Sequence, residues 1–378
     1  MKRTLTTIIA CMPFFTAACT ASATSLARLA IPLDGKTFET HDMALSASGE
    51  HICIAGNDID EMGASAPRLV LVDRARQASL WKKTVALPDG FATAYPVQCL
   101  VGNDRVYLLT NDGTSLSPTQ ANSSTYLYVF DLRGTPLASA RLAVPGQNQY
   151  GHTMNATTDG VTVAGYTMDV DDKSEHYASF TLTLDALLHA RGAPVVRKNG
   201  AYASPVGARL VGDSLYITGA FFPSTAEKDS LGKFMASRLK TAAGYVWSTP
   251  VIPVAEGDVH FAVADDGTSY ALSVGTDTTT LALVTPDGKT HAPLIHHGAY
   301  CSAGAIARYG DGIAAILKPC KGKDNQLVTI ALETGKKTLV QAIPDEPLHV
   351  ASRNDLWTVL ARDRKGKVYL YSGTAGEL

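Results

Sequence analysis

Four tyrosines and several histidines recur at one place relative to a repeated turn, and their types and spacing could do chemistry. Tyr95 and Tyr150 stand nine residues before Asp104 and Asp159, while Tyr202 and Tyr300 stand eleven before Asp213 and Asp311. Side chains alternate along a strand, so the two spacings put all four tyrosines on the same side. Joined by His152, His260, His296 and His297, they would form a partial aromatic ring. Tyrosine offers an apolar body and a polar tip, which suits a sugar, a peptide or a partner's loop. Packing at a repeated position is the plainer role for the same residues.

A second chemistry would need metal. Asp42, Asn155, Asp258 and His260 are the oxygen and nitrogen donors that a metal-dependent hydrolase or lactonase-like site would have to gather. Acidic loops at Asp58, Asp60 and Glu61, and at Asp169, Asp171, Asp172 and Glu175, have calcium-like oxygen density but lack an EF-hand's central glycine. They read as solvated loops. Three Ser-x-x-Lys matches (Ser79–Lys82, Ser230–Lys233, Ser237–Lys240) fall in strands or loops, where the motif cannot aim its two side chains together. No G-x-S-x-G, H-E-x-x-H, P-loop or dinucleotide glycine fingerprint occurs. No catalytic residue, metal or cofactor is assigned.

Bulk properties narrow the class. The 378 residues are 46% hydrophobic and 18% charged, without a disorder signature, and the formal net charge of −2 leaves no basic footprint for nucleic acid. Lys2 and Arg3 precede an apolar stretch too short to span a membrane, which reads as an export leader. Ala21-Ser22-Ala23 would end a signal peptide at residue 23. Alternatively, Phe15-Thr16-Ala17-Ala18-Cys19 resembles a lipobox, with the leader ending at residue 18 and Cys19 lipidated. No later apolar run is long enough for a transmembrane helix. The expected location is the periplasm, with an outer-membrane tether if Cys19 carries lipid.

Beyond the leader four cysteines remain, an even number suited to disulfides in an oxidising compartment. Cys301 and Cys320 are equidistant from the turn at Gly310 and Asp311, so they should face each other across one hairpin. Closing that loop is worth about 3 kcal/mol in the chain-entropy model. Strict register would put them at a hydrogen-bonded pair, where Cα atoms are further apart. Cys53 and Cys99 would bridge neighbouring repeats.

The elements that must position these residues follow from the turns. Short turns at Gly49, Asn103, Asp159, Gly212, Asp266, Gly310 and Asn354 recur every 44 to 56 residues, each flanked by alternating apolar runs. That period and the strand chemistry predict an all-β, seven-bladed β-propeller of four-stranded antiparallel blades, forming a single domain over 24–378. The last repeat holds only three strands. The segment Ala27-Arg28-Leu29-Ala30-Ile31-Pro32 nearly duplicates Ala140-Arg141-Leu142-Ala143-Val144-Pro145, so the mature N-terminus is expected to supply the missing strand and close the ring.

The turns between third and fourth strands resemble the quinoprotein-like, YVTN-type propeller repeat, with an acidic or Thr-Gly turn and then a tryptophan. The matching stretches are Ala331-Leu332-Glu333-Thr334-Gly335-Lys336, Asp73 followed by Trp81, and Leu239 to Trp247. The resemblance implies the fold alone, since no quinone-binding constellation accompanies it. Long loops fall on one face, where binding residues concentrate. The resulting expectation is an exported, non-enzymatic protein that binds a protein partner in the cell envelope, as an assembly factor or a toxin-neutralising immunity protein. The competing expectation is the metal-dependent hydrolase.

Overall fold

The computed structural model describes residues 27–34, 37–59, 65–115, 122–157, 159–170, 175–198, 202–222, 233–240, 244–250, 258–275, 278–297, 300–310, 312–321 and 324–374. Cys19 and both cleavage sites lie outside them. The chain opens with β1 (Ala27–Asp34). The first sheet then runs β2 (Phe38–Leu45), β3 (His51–Ile59), β4 (Ser65–Asp73) and β5 (Ala78–Thr84). The second is β6 (Thr93–Val101), β7 (Arg105–Gly113), β8 (Ser123–Asp131) and β9 (Pro136–Arg141). The third is β10 (Asn148–Thr157), β11 (Gly160–Val170), β12 (Glu175–Asp185) and β13 (Val195–Lys198).

The fourth sheet is β14 (Tyr202–Val211), β15 (Ser214–Phe222), β16 (Lys233–Lys240) and β17 (Gly244–Pro250). The fifth is β18 (Asp258–Val263), β19 (Ser269–Val274), β20 (Thr278–Val284) and β21 (Thr290–His297). The sixth is β22 (Tyr300–Tyr309), β23 (Gly312–Pro319), β24 (Asn325–Ala331) and β25 (Lys337–Ile343). The seventh combines β26 (Glu346–Arg353), β27 (Leu356–Arg362) and β28 (Lys367–Thr374) with β1, in the order β1-β28-β27-β26.

Among the described residues every strand pairing is antiparallel, and all join chain neighbours except that of β1, whose residues from Ala27↔Ser372 to Ile31↔Val368 run beside β28. Arg28 fastens it. Its guanidinium lies 3.5 Å from the centre of the Tyr369 ring and donates to Asp345 at 2.6 Å, and the Tyr371 hydroxyl donates to the same carboxylate at 2.5 Å.

Alternating burial turns each sheet into a two-sided apolar layer, and the core is accordingly divided among sheet boundaries. One cluster joins Ile31, Leu360 and Leu370 of the seventh sheet to Met43, Ile54 and Val72 of the first. Others join the first sheet to the second through Cys53, Leu71, Cys99 and Leu108, and the second to the third through Leu109, Leu127, Val163 and Phe180. The first strand of each sheet packs on the first strand of the next, and β2 packs on both β6 and β26.

Both cysteine pairs are disulfide-bonded. Cys53–Cys99 crosses from β3 to β6, both residues being fully buried. Cys301–Cys320 spans one hairpin with its Cα atoms 4.9 Å apart. Strict register does not apply there: pairing shifts between Tyr300 and Ser302, so Cys301 is an extra residue in its strand and escapes the wide hydrogen-bonded spacing.

Candidate functional site

Five of the seven first strands share a device that positions their side chains. Pairing with the second strand shifts by one residue between Thr40 and Asp42, Pro96 and Gln98, Gly151 and Thr153, Pro205 and Gly207, and Pro347 and His349. Each is a β-bulge, and the extra residues are His41, Val97, His152, Val206 and Leu348. A bulge re-aims side chains and bends its strand. It also pushes a carbonyl toward the partner strand. A Cβ on Gly56 would lie 2.2 Å from the Glu39 carbonyl oxygen, and one on Gly165 would lie 2.1 Å from that of Tyr150, so both positions require glycine.

The residue after the bulge ties one sheet to the next. Asp42 accepts the Cys99 backbone N–H at 2.8 Å, and Gln98 accepts that of Met154 at 2.6 Å. The two straps occupy matching positions in successive sheets. Asp42 also feels the positive fields of His349 and Arg209, but burial dominates and pushes its carboxyl above the usual range. Burial likewise lowers His349, against the pull of Asp42.

At the long-loop end of these strands the structure gathers aromatic rings. Tyr95 is 46% exposed, with its ring edge-on to His41 of the neighbouring sheet at 6.2 Å. Tyr150 stacks on Tyr166 at 4.9 Å, and His152 stacks on the same ring at 5.1 Å. The His152 Nε2 is sealed from solvent with no hydrogen-bond partner among the described residues, and burial lowers its imidazole to about 4. His41 is lowered too, by burial against the opposing fields of Glu39 and Asp42. Close by in the second sheet, Asp112 is fully buried. It accepts from Thr110 Oγ1 at 2.6 Å and from the Tyr128 hydroxyl at 3.5 Å, and burial raises it to about 7.

The sequence-selected residues are thus not equivalent. Tyr300 is 8% exposed and turned onto its own sheet, its hydroxyl meeting Lys337 Nζ at 2.5 Å and Gln326 at 3.4 Å. Tyr202 begins β14, but its side chain is not among those described. His260 is half-buried on β18, whereas His296 and His297 end β21, the outermost strand of that sheet rather than the first. Asn155 lines a cavity at the opposite, tight-turn end, and Asp58 is ion-paired with Arg68. Among the described residues no three His, Cys, Asp or Glu side chains come together to hold a metal ion. The Asp258 side chain lies outside those described, as do Asp60, Glu61, Asp171 and Asp172.

Sequence reasoning missed Tyr166, His41, Asp112 and the bulges. A signal for the bulges was present: Pro96, Pro205 and Pro347 each immediately precede the extra residue, and proline inside a sheet is tolerated at bulges and edges.

Similarity to solved structures accords with this layout. The β-propeller domain of the Trilobed protease from Pyrococcus furiosus superposes with a TM-score of 0.54 at 8% identity, covering 90% of this chain and 96% of that one. The chain folds as a β-propeller. The acylaminoacyl peptidase of Pyrococcus horikoshii matches at a TM-score of 0.52 and 7% identity, over 90% of this chain and 53% of that one. Identities this low carry the fold and nothing more. No family model and no curated protein sequence matches the chain.

Proposed function

We propose that this propeller is an exported, non-enzymatic binding protein that takes a protein partner on its long-loop face. The carrying observation is Tyr95, the one aromatic among the exposed large apolar residues described, standing at the start of a first strand beside His41. Tyrosine brings large contact area at low entropic cost, and tyrosines are over-represented among interface residues that dominate affinity. His41 and His152 are both depressed by burial, so near neutral pH this mouth presents uncharged rings. Two disulfides favour an oxidising compartment such as the periplasm, and a leader cut at Cys19 instead of after Ala23 would add a lipid tether to the outer membrane.

In this reading the seven sheets form one ring of seven blades, and β1 is its clasp. The Pyrococcus furiosus propeller is described as having an open velcro topology, whereas here β1 is hydrogen-bonded to β28 and held by Arg28. A scaffold role beside an enzyme is the second reading, favoured by the likeness to an acylaminoacyl peptidase that is nearly twice as long.

The test is to cross-link the purified chain in an envelope extract, identify the partner, and measure its affinity by surface plasmon resonance. Tyr95→Ala should weaken binding about tenfold, and Tyr150→Ala by a smaller factor. Unchanged affinity in both variants removes this face as the binding surface.

A further inference from the structure

The tight-turn end of the same strands encloses a cavity of about 670 Å³, bounded by residues from six of the seven sheets. That volume falls in the range of small-molecule pockets. Its inner wall includes the buried Leu45, Val101, Met154 and Leu210. Its charge comes from Arg105, Arg209 and Arg353 on three different sheets, set against Asp104 and Asp265.

These arginines differ in what already holds them. Arg209 is ion-paired with Asp265. Arg105 donates to the Ala186 carbonyl at 2.7 Å and lies 3.4 Å from the Asp104 carboxylate. Arg353, the last residue of β26, has no carboxylate, carbonyl or ring partner among the described residues, although it is only partly exposed. A guanidinium's planar fork matches the two oxygens of a carboxylate, and half-burial strengthens such a pair over one in open water.

We propose that this cavity is a binding site for a small carboxylic acid, whose carboxylate is held by Arg353. The charge balance sets the class. Two aspartates already offset two arginines, leaving a single uncompensated positive charge, which suits a carboxylate better than a polyphosphate. The apolar inner wall accommodates a short carbon chain behind it. This site is at the far end of the strands from Tyr95 and stands independently of the partner proposed there.

The experiment is isothermal titration calorimetry of the purified full chain with butyrate at low salt. Saturable binding is expected at about 1 mM or tighter. Arg353→Gln should weaken it at least about tenfold, and Arg353→Lys, which keeps the charge but loses the fork, at least about threefold. Arg76→Gln, at a surface site 78% exposed and paired with Asp73, should leave it unchanged. Three results would overturn the proposal: no saturable heat with butyrate, wild-type affinity in both Arg353 variants, or equally tight Arg353-dependent binding of inorganic phosphate.

Discussion

The two ends of the propeller's first strands handle ionisable groups in opposite ways. Toward the long loops, Asp42, His152, His349 and Asp112 are desolvated, and each is pushed toward its neutral form. At the tight turns the Arg209–Asp265 and Arg105–Asp104 pairs stay in contact with water, with Asp265 63% and Asp104 77% exposed. The surroundings of a carboxylate thus change within one strand's length. Distance from solvent decides it, because burial penalises the charged form whichever its sign.

Breaking the buried end should have the largest effect. Asp42→Ala leaves the Cys99 N–H without its acceptor at the boundary between the first two sheets. It should lower unfolding stability by about 1–3 kcal/mol in urea titrations. A change below about 0.5 kcal/mol would mean that water replaces the strap and the site is not dry.

Next in size are two opposite pH dependences. The His152 imidazole is held near 4 instead of 6.5, so as pH falls the unfolded chain takes up its proton first. Stability is therefore lost as pH drops from about 6.5 to about 4, and His152→Phe, which keeps a ring against Tyr166, should flatten that limb. Asp112 is held near 7 instead of 3.8, so the unfolded chain releases its proton first as pH rises. Stability is then lost between about pH 4 and 7, and Asp112→Asn should gain about 1–3 kcal/mol at pH 8. Parallel melting curves for wild type and variants across this range would contradict the contrast.

The smallest effect belongs to the exposed end. Asp265→Ala should cost less than about 1 kcal/mol, and the difference should shrink further in high salt. A loss as large as that of Asp42→Ala would show that the tight-turn mouth is as dry as the other.

Local features were legible from the chain alone. Asn354 and Gly310 adopt the positive φ that a tight turn requires, at 53° and 54°, and both stand out as turn residues between apolar runs. The pairing of Cys301 with Cys320 follows from their symmetry about one such turn. The tyrosines were legible as a repeated pattern, but not their separate fates. The stacking of Tyr150 on Tyr166 and the turn of Tyr300 toward Lys337 depend on strands that the spacing to a turn says nothing about.

Alternation of apolar residues, turn chemistry and the Ala27–Pro32 duplicate determined that this chain would fold as repeated antiparallel sheets, since strand and turn preferences act over a few neighbouring residues. Only the tertiary structure decided which ionisable groups are desolvated. Asp42 lies within a first strand, whereas Asp265 stands in the tight turn that follows one. The turn leaves Asp265 in water, but the covering of Asp42 exists only after the adjoining sheets have packed together.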